Sequence, residues 1–275
     1  MSAVSATTSK LTLLGPASMR PFRCLWMLEE LHLQYKHIPK AVPQSRFVKK
    51  YNPLGKVPVL LIHDSGEQES GNDHQQDSVE QDPSFVLYES AAIVNYLGDN
   101  FATNNNDSND TIYIPKVGTK ERGIYDQTLY MIVSELDSQG LWIHRKHETM
   151  GKYFGYIPDA VQHAKEYFNK TNSILIQQLK LQKEKVNSTS TSTPCSSYYL
   201  LGNRFTPVDI FYIHCLTWSI SIGWNEQWKN NDIVTQYYTN CTTNRIAYQK
   251  VQQILNNETT AMKQKQPKPK HSSNL

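Results

Sequence analysis

An α/β domain followed by an all-helical domain is the fold class that the sequence predicts, and three observations predict it. Between residues 10 and 99, short apolar runs bounded by turn residues alternate with helix-period segments. Between residues 112 and 262, apolar residues recur at helical spacing with no strand-like run. An Asn/Asp-rich stretch, Asn100 to Asp110, separates the two and reads as a linker. A chain of 275 residues is long enough for two such domains.

The elements follow in order. Leu11-Thr12-Leu13-Leu14 ends at Gly15-Pro16, a strand entering a turn, and Phe22, Leu25, Trp26, Leu28 and Leu31 then repeat at helical spacing. Tyr35 to Ile38 is a short second strand. A polar stretch leads to the turn Asn52-Pro53-Leu54-Gly55-Lys56 and then to the apolar run Val57 to Ile62, a third strand that contains Pro58. A proline there argues for an edge, a bulge or a cis bond, because it has no N–H to give to a ladder. Residues 64–84 carry seven acidic side chains, two glycines and no Lys or Arg, so they read as a solvated insertion in a hairpin. The hairpin resumes at Phe85 to Tyr88, and Ser90 is suited to cap a helix whose stripe is Ile93, Val94 and Leu97. Beyond the linker, helices are expected over 120–137, 157–184, 208–224 and 246–258, with a Ser/Thr-rich loop over 187–197. Residues 263–275, with four Lys and two Pro, are expected to be a disordered basic tail.

Composition narrows the function classes. Twenty-eight Lys+Arg against 25 Asp+Glu leave a net charge of +3, too small and scattered to predict a nucleic-acid surface. The four cysteines, Cys24, Cys195, Cys215 and Cys241, lie far apart with neither C-x-x-C nor zinc spacing, so neither a disulfide scaffold nor a metal site is expected. Met1 to Lys10 lacks the basic start and apolar stretch of a secretory signal. The apolar run Val57 to Ile62 is far short of the roughly 18 to 20 residues that cross a bilayer. The expected compartment is the cytoplasm, with reduced thiols.

Pro58 with its flanking Asn52-Pro53-Leu54-Gly55-Lys56-Val57, the segment Tyr88-Glu89-Ser90-Ala91-Ala92-Ile93, and the first-helix run Leu25-Trp26-Met27-Leu28-Glu29-Glu30-Leu31 together resemble the cytosolic glutathione transferases. The resemblance extends to the second domain, where Leu200 to Ile210 is similar to the family's buried N-capping box and Arg245-Ile246-Ala247-Tyr248 to its late Arg-Pro-Ala-Tyr. The first helix looks most like the serine-type bacterial and fungal branch. The implied fold is an N-terminal thioredoxin-like βαβ-ββα domain followed by a C-terminal helical bundle.

The resemblance implies a site as well as a fold. With Pro58 cis, the Val57 peptide groups would pair with the cysteinyl backbone of glutathione, adding two amide hydrogen bonds at a net of about 0.5 to 1.5 kcal/mol each. Ser90, at a helix start, would take the γ-glutamyl carboxylate, and Glu89 the γ-glutamyl ammonium. Lys56 would neutralise the glycyl carboxylate. Activation of the thiol needs a donor to the thiolate, and the register of plant serine enzymes selects Ser18. The register of the bacterial and fungal enzymes selects Met19 instead, which cannot donate; the thiolate would then rely on Arg20 and backbone N–H groups. Cys24, in an apolar run with no second cysteine near it, reads as core. Thr206-Pro207-Val208-Asp209 is a capping box with Asp in place of Glu and a folding role. Tyr130 stands for the acceptor wall.

The implied activity is conjugation of the glutathione thiolate to electrophilic hydrophobic acceptors in detoxification, with glutathione peroxidase activity open to the same thiolate. No cofactor beyond glutathione as co-substrate, no metal and no nucleic acid are implied. The implied protein is a homodimer, with weak peripheral membrane association through the basic tail at most. The alternative is a non-catalytic member of the same fold acting as an interaction or regulatory module.

Overall fold

The structure is a computed structural model that describes residues 10–63, 82–102, 112–189 and 197–264. The chain divides into two compact units: residues 10–25, 34–63, 82–90 and 249–264 form the described part of the first, and residues 26–33, 91–102, 112–189 and 197–248 that of the second.

The first unit is built on four strands, β1 (Lys10–Leu14), β2 (Tyr35–Ile38), β3 (Val59–His63) and β4 (Phe85–Tyr88), in the order β2-β1-β3-β4. β1 and β2 run parallel, and a parallel pair needs a crossover, which α1 (Pro21–Glu30) supplies. β3 runs antiparallel to both β1 and β4. Leu14, Ala41, Val48, Val59 and Leu61 form a buried cluster on this sheet. Val48 comes from α2 (Arg46–Tyr51), a helix inside the stretch that reads as merely polar. Ser45 caps it, its hydroxyl accepting from the Val48 N–H at 3.3 Å, and Val48 supplies the one side chain that the core needs from so short a segment.

β3 begins at Val59, two residues later than the apolar run suggested, and Pro58 stands before its first paired residue. No ladder position is therefore lost to a missing N–H. The expected acidic insertion lies mostly outside the described residues; of its described end, Asp82 pairs with Lys50 at 2.7 Å on the surface, where such a pair contributes little. The expected tail likewise lies outside the described residues, except Lys263 and Gln264, which are the last residues of a helix, α10 (Ile246–Gln264).

Among the described residues, the second unit is helical apart from one isolated bridge between Tyr199 and Gly202. Its helices are the body of α3 (Ser90–Phe101), then α4 (Lys120–Met131), α5 (Trp142–His144), α6 (Gly151–Phe154), α7 (Pro158–Thr189), α8 (Pro207–Ser221), α9 (Asp232–Thr242) and the start of α10. Two π-helical segments, Ile132–Leu141 and Arg145–Thr149, flank α5. The wider winding coincides with a close approach of α7: a Cβ on Gly140 would stand 3.1 Å from the Phe168 Cβ. α8 is buried nearly all round and forms the centre of this unit, as expected for a helix without a polar face.

Buried polar groups in this unit are paired across long sequence separations. Arg245 grips Glu30 with two parallel hydrogen bonds, Nε to Oε1 at 2.8 Å and Nη2 to Oε2 at 2.5 Å, and Trp26 Nε1 also donates to Glu30 Oε1. The guanidinium lies over the Phe205 ring at 3.8 Å. Arg122 holds the Asp99 carboxylate in the same two-pronged way and also reaches Asp126. Among the described residues of this unit, the exception is His144, whose buried Nδ1 finds no hydrogen-bond partner and whose ring stands edge-on to Trp224.

Burial holds the His144 pKa below its ordinary value, with Glu148 opposing weakly. The unfolded chain therefore binds a proton at His144 more readily than the folded one, so this contribution to stability is full above about pH 6.5 and is lost as the pH falls. Urea unfolding at pH 7 and pH 5 is expected to give a smaller loss of stability on acidification in His144→Phe than in the wild type. An equal loss in both would show that the imidazole plays no part.

Candidate functional site

One rung of the sheet organises the candidate residues. Leu14, the last residue of β1, pairs with Val59, and Val59 pairs with Tyr88, the last residue of β4. The chain leaving Leu14 runs through Gly15 to Arg20, the chain arriving at Val59 comes through Lys56, Val57 and Pro58, and the chain leaving Tyr88 is Glu89-Ser90. Three segments far apart in sequence thus meet at one end of one sheet.

The first segment is a tight loop. Gly15 has φ +114°, and a Cβ there would stand 2.7 Å from both Pro21 Cγ and Val57 Cβ, so only glycine fits between the loop and Val57. The Gly15 N–H donates to the Ile38 carbonyl at 3.1 Å, and its own carbonyl accepts from His37 Nε2 at 2.8 Å. The Met19 N–H donates to the Pro16 carbonyl and the Phe22 N–H to that of Met19, turning the chain into α1. α1 has no acidic residue in its first turn, so its positive end is not neutralised from within. Ser18 is exposed, with no hydrogen-bond partner among the described residues. It opens onto a cavity of about 140 Å³ whose other wall is the last two turns of α10. Arg20 is half-buried and its carbonyl accepts from the Arg23 N–H.

The second segment is held by Asn52, which is buried at 2% exposure. Its Nδ2 donates to the Lys56 carbonyl at 2.9 Å, its Oδ1 accepts from the Leu54 N–H, and its backbone carbonyl accepts from the Gly55 N–H. The Asn-Pro-Leu-Gly turn is thereby closed around one side chain. The Val57–Pro58 bond is cis, and neither the N–H nor the carbonyl of Val57 has a partner among the described residues. Val57 is half-buried, Pro58 buried and Lys56 exposed.

In the third segment, Glu89 is exposed with φ +73°, and Ser90 is buried as the first residue of α3, not as a cap outside it. The Ser90 carbonyl faces Cys24 Sγ at 4.0 Å. Cys24 is fully buried, and burial pushes its thiol pKa far above the ordinary value, so it has the character of core and not of a nucleophile.

Tyr130 belongs to the second unit, at 54% exposure on α4. The other candidates all lie in the first. Sequence reasoning missed His37 and Glu258, whose side chains approach the first loop: Glu258 Oε2 accepts from the Ala17 N–H at 2.9 Å, and Oε1 stands 3.6 Å from His37 Nδ1. No local pattern marks a residue 241 positions from its partner. No group of three or more potential metal-binding side chains occurs among the described residues, and no described helix is long and apolar enough to cross a membrane.

Residues 17–100 match the family described as glutathione S-transferase, N-terminal domain. Over those residues the chain is similar to a glutathione S-transferase N-terminal domain. The chain as a whole has the glutathione transferase fold, a thioredoxin-like domain joined to a helical region. A glutathione transferase from Populus trichocarpa superposes with a TM-score of 0.62 at 16% identity, over 90% of this chain and 99% of that one. The transferase URE2P6 from Phanerochaete chrysosporium, in complex with oxidized glutathione, gives 0.59 at 19% identity over 92% and 98%. Ure2p in complex with S-p-nitrobenzylglutathione gives 0.66 at 16% identity over 91% and 96%. No protein among the curated sequences matches the chain.

Proposed function

We propose that this protein is a serine-type glutathione transferase that binds glutathione at the end of the sheet marked by Leu14, Val59 and Tyr88 and joins its sulfur to an electrophilic apolar acceptor. The observation that carries the reading is the convergence there of three different capabilities. The unpaired Val57 peptide groups offer one donor and one acceptor to a peptide backbone. The start of α3 at Ser90 favours the γ-glutamyl carboxylate, with the Glu89 carboxylate beside it for the ammonium. The exposed Ser18 hydroxyl, before the positive end of α1, is free to donate to a thiolate.

In this mechanism the Ser18 hydroxyl stabilises the thiolate, the thiolate attacks the electrophilic carbon, and the leaving group departs with its electron pair. Lys56 pairs with the glycyl carboxylate, and Arg20 adds positive charge to the loop. The protein's part is orientation and electrostatics. The same thiolate would serve in peroxide reduction. A cytoplasmic homodimer acting in detoxification completes the reading.

Calorimetric titration with glutathione tests it. Wild type is expected to bind one glutathione per chain, and Glu89→Gln to bind roughly tenfold more weakly, the loss of one charge-assisted hydrogen bond. Failure of the wild type to bind glutathione would overturn the transferase and favour an interaction module on the same fold.

A further inference from the structure

The last turns of α10 carry a stripe made of Leu255, Glu258, Thr259 and Met262, spaced i, i+3, i+4 and i+7, and this stripe faces the cavity that Ser18 opens onto. Within the stripe, Glu258 is unlike a solvated helix residue. Its side chain is only 10% exposed, Oε2 accepts from the Ala17 N–H at 2.9 Å, and Oε1 is buried with no hydrogen-bond partner, facing His37 Nδ1 at 3.6 Å. His37 in turn donates through Nε2 to the Gly15 carbonyl. A carbonyl only accepts, so this contact fixes a proton on Nε2 and orients the ring with Nδ1 toward the carboxylate.

We infer that Glu258 is a positioning residue for Ser18, so that the C-terminal helix sets the geometry of the thiol-activating loop. The inference rests on the reading of Ser18 as the thiol donor. Two tethers come from β2 and hold Gly15: the Ile38 carbonyl and the His37 ring. The tether at Ala17 comes from Glu258, and Ala17 is the residue directly before Ser18. A carboxylate acceptor in a buried setting makes this a stronger hydrogen bond than one to a neutral carbonyl. The placement of Ser18 at the cavity thus depends on a side chain 240 positions later in the chain.

Amide hydrogen exchange in the full chain reads the tether without any ligand. In Glu258→Ala, exchange at Ala17 is expected to quicken by about tenfold while the strands are unaffected, and Glu258→Gln is expected to stay near the wild type because its side-chain oxygen still accepts. Unchanged exchange at Ala17 in Glu258→Ala overturns the inference. With glutathione and a chromogenic aryl halide, Glu258→Ala is expected to lower kcat by about fivefold to tenfold with the glutathione KM within about twofold, and Glu258→Gln to recover most of the loss. A rise in activity in both variants would mean that the carboxylate obstructs the site, and it too overturns the inference. If the wild type does not bind glutathione, it is the transferase reading that falls, and exchange at Ala17 still decides whether Glu258 holds the loop.

Discussion

Asp209→Ala is expected to lower the unfolding free energy by about 3 to 5 kcal/mol, the loss expected when a buried carboxylate is taken away from several neutral donors that it alone satisfies. Asp209 is fully buried at the third position of α8, and its carboxylate accepts four hydrogen bonds. Oδ1 takes the Leu200 N–H at 3.0 Å and the Tyr237 hydroxyl at 2.9 Å; Oδ2 takes the Thr206 N–H at 2.9 Å and the Thr206 hydroxyl at 3.0 Å. Desolvation pushes the Asp209 pKa up despite these donors, and burial beside the carboxylate pushes the Tyr237 phenol well up. Alanine would leave two backbone N–H groups and two hydroxyls without their acceptor inside the unit. Asparagine has one acceptor oxygen where two are needed, and its amide would face donors, so Asp209→Asn is expected to recover only part of the loss. Urea unfolding at 25 °C measures the effect, with Tm falling by roughly 10 °C as its thermal counterpart. A variant within 1 kcal/mol of the wild type would mean that water replaces the carboxylate without cost.

Ser18→Ala is expected to raise the pKa of the glutathione thiol bound to the protein by about one to two units, the worth of one hydrogen bond to a thiolate, and to lower kcat/KM at neutral pH by roughly ten- to a hundredfold. The ultraviolet absorbance of the bound thiolate, titrated with pH, reads the first quantity directly. The structure narrows the alternatives. The Ala17 N–H already donates to Glu258 and the Met19 N–H to Pro16, so among these neighbouring amides that of Ser18 itself is the one without a partner. Met19 has no side-chain donor. A titration curve unchanged in Ser18→Ala would therefore move activation to the Ser18 amide or to Arg20, and Arg20→Ala would separate the two.

Much of the first unit was legible because its signals are local. Leu11 to Leu14 stops at Gly15-Pro16, and β1 ends at Leu14; Phe85 to Tyr88 was read as a strand and is one. The start of β3 was less legible, since Val57 and Pro58 are apolar like the strand that follows and only the ladder marks Val59 as its first member. α2 was missed because one buried side chain, Val48, makes no periodic pattern. α9 was missed although Asn231 caps it in the ordinary way, its side chain accepting from Ile233 and Val234, because its apolar residues are diluted by Thr and Tyr. The two π-helical segments left no trace in the spacing of apolar residues, which follows the face turned to α7 and not the hydrogen-bond step.

By itself, the sequence determined where the backbone turns, at Asn52 to Pro58 and in the loop before α1, where helices begin, at Ser90 and Thr206-Pro207, and which short segments are candidates for a site: Asn52 to Pro58, Glu89-Ser90 and the loop before α1. Turn and cap preferences act over a few residues and are written into them. Only the tertiary structure decided that the loop before α1, Asn52 to Pro58 and Glu89-Ser90 meet at the rung of Leu14, Val59 and Tyr88, that Arg245 neutralises Glu30, and that Glu258 closes on Ala17. Each of these contacts joins residues many turns apart, so its energy depends on how whole elements pack. Apolar periodicity records which face of an element is buried, but not which distant polar group it will meet there.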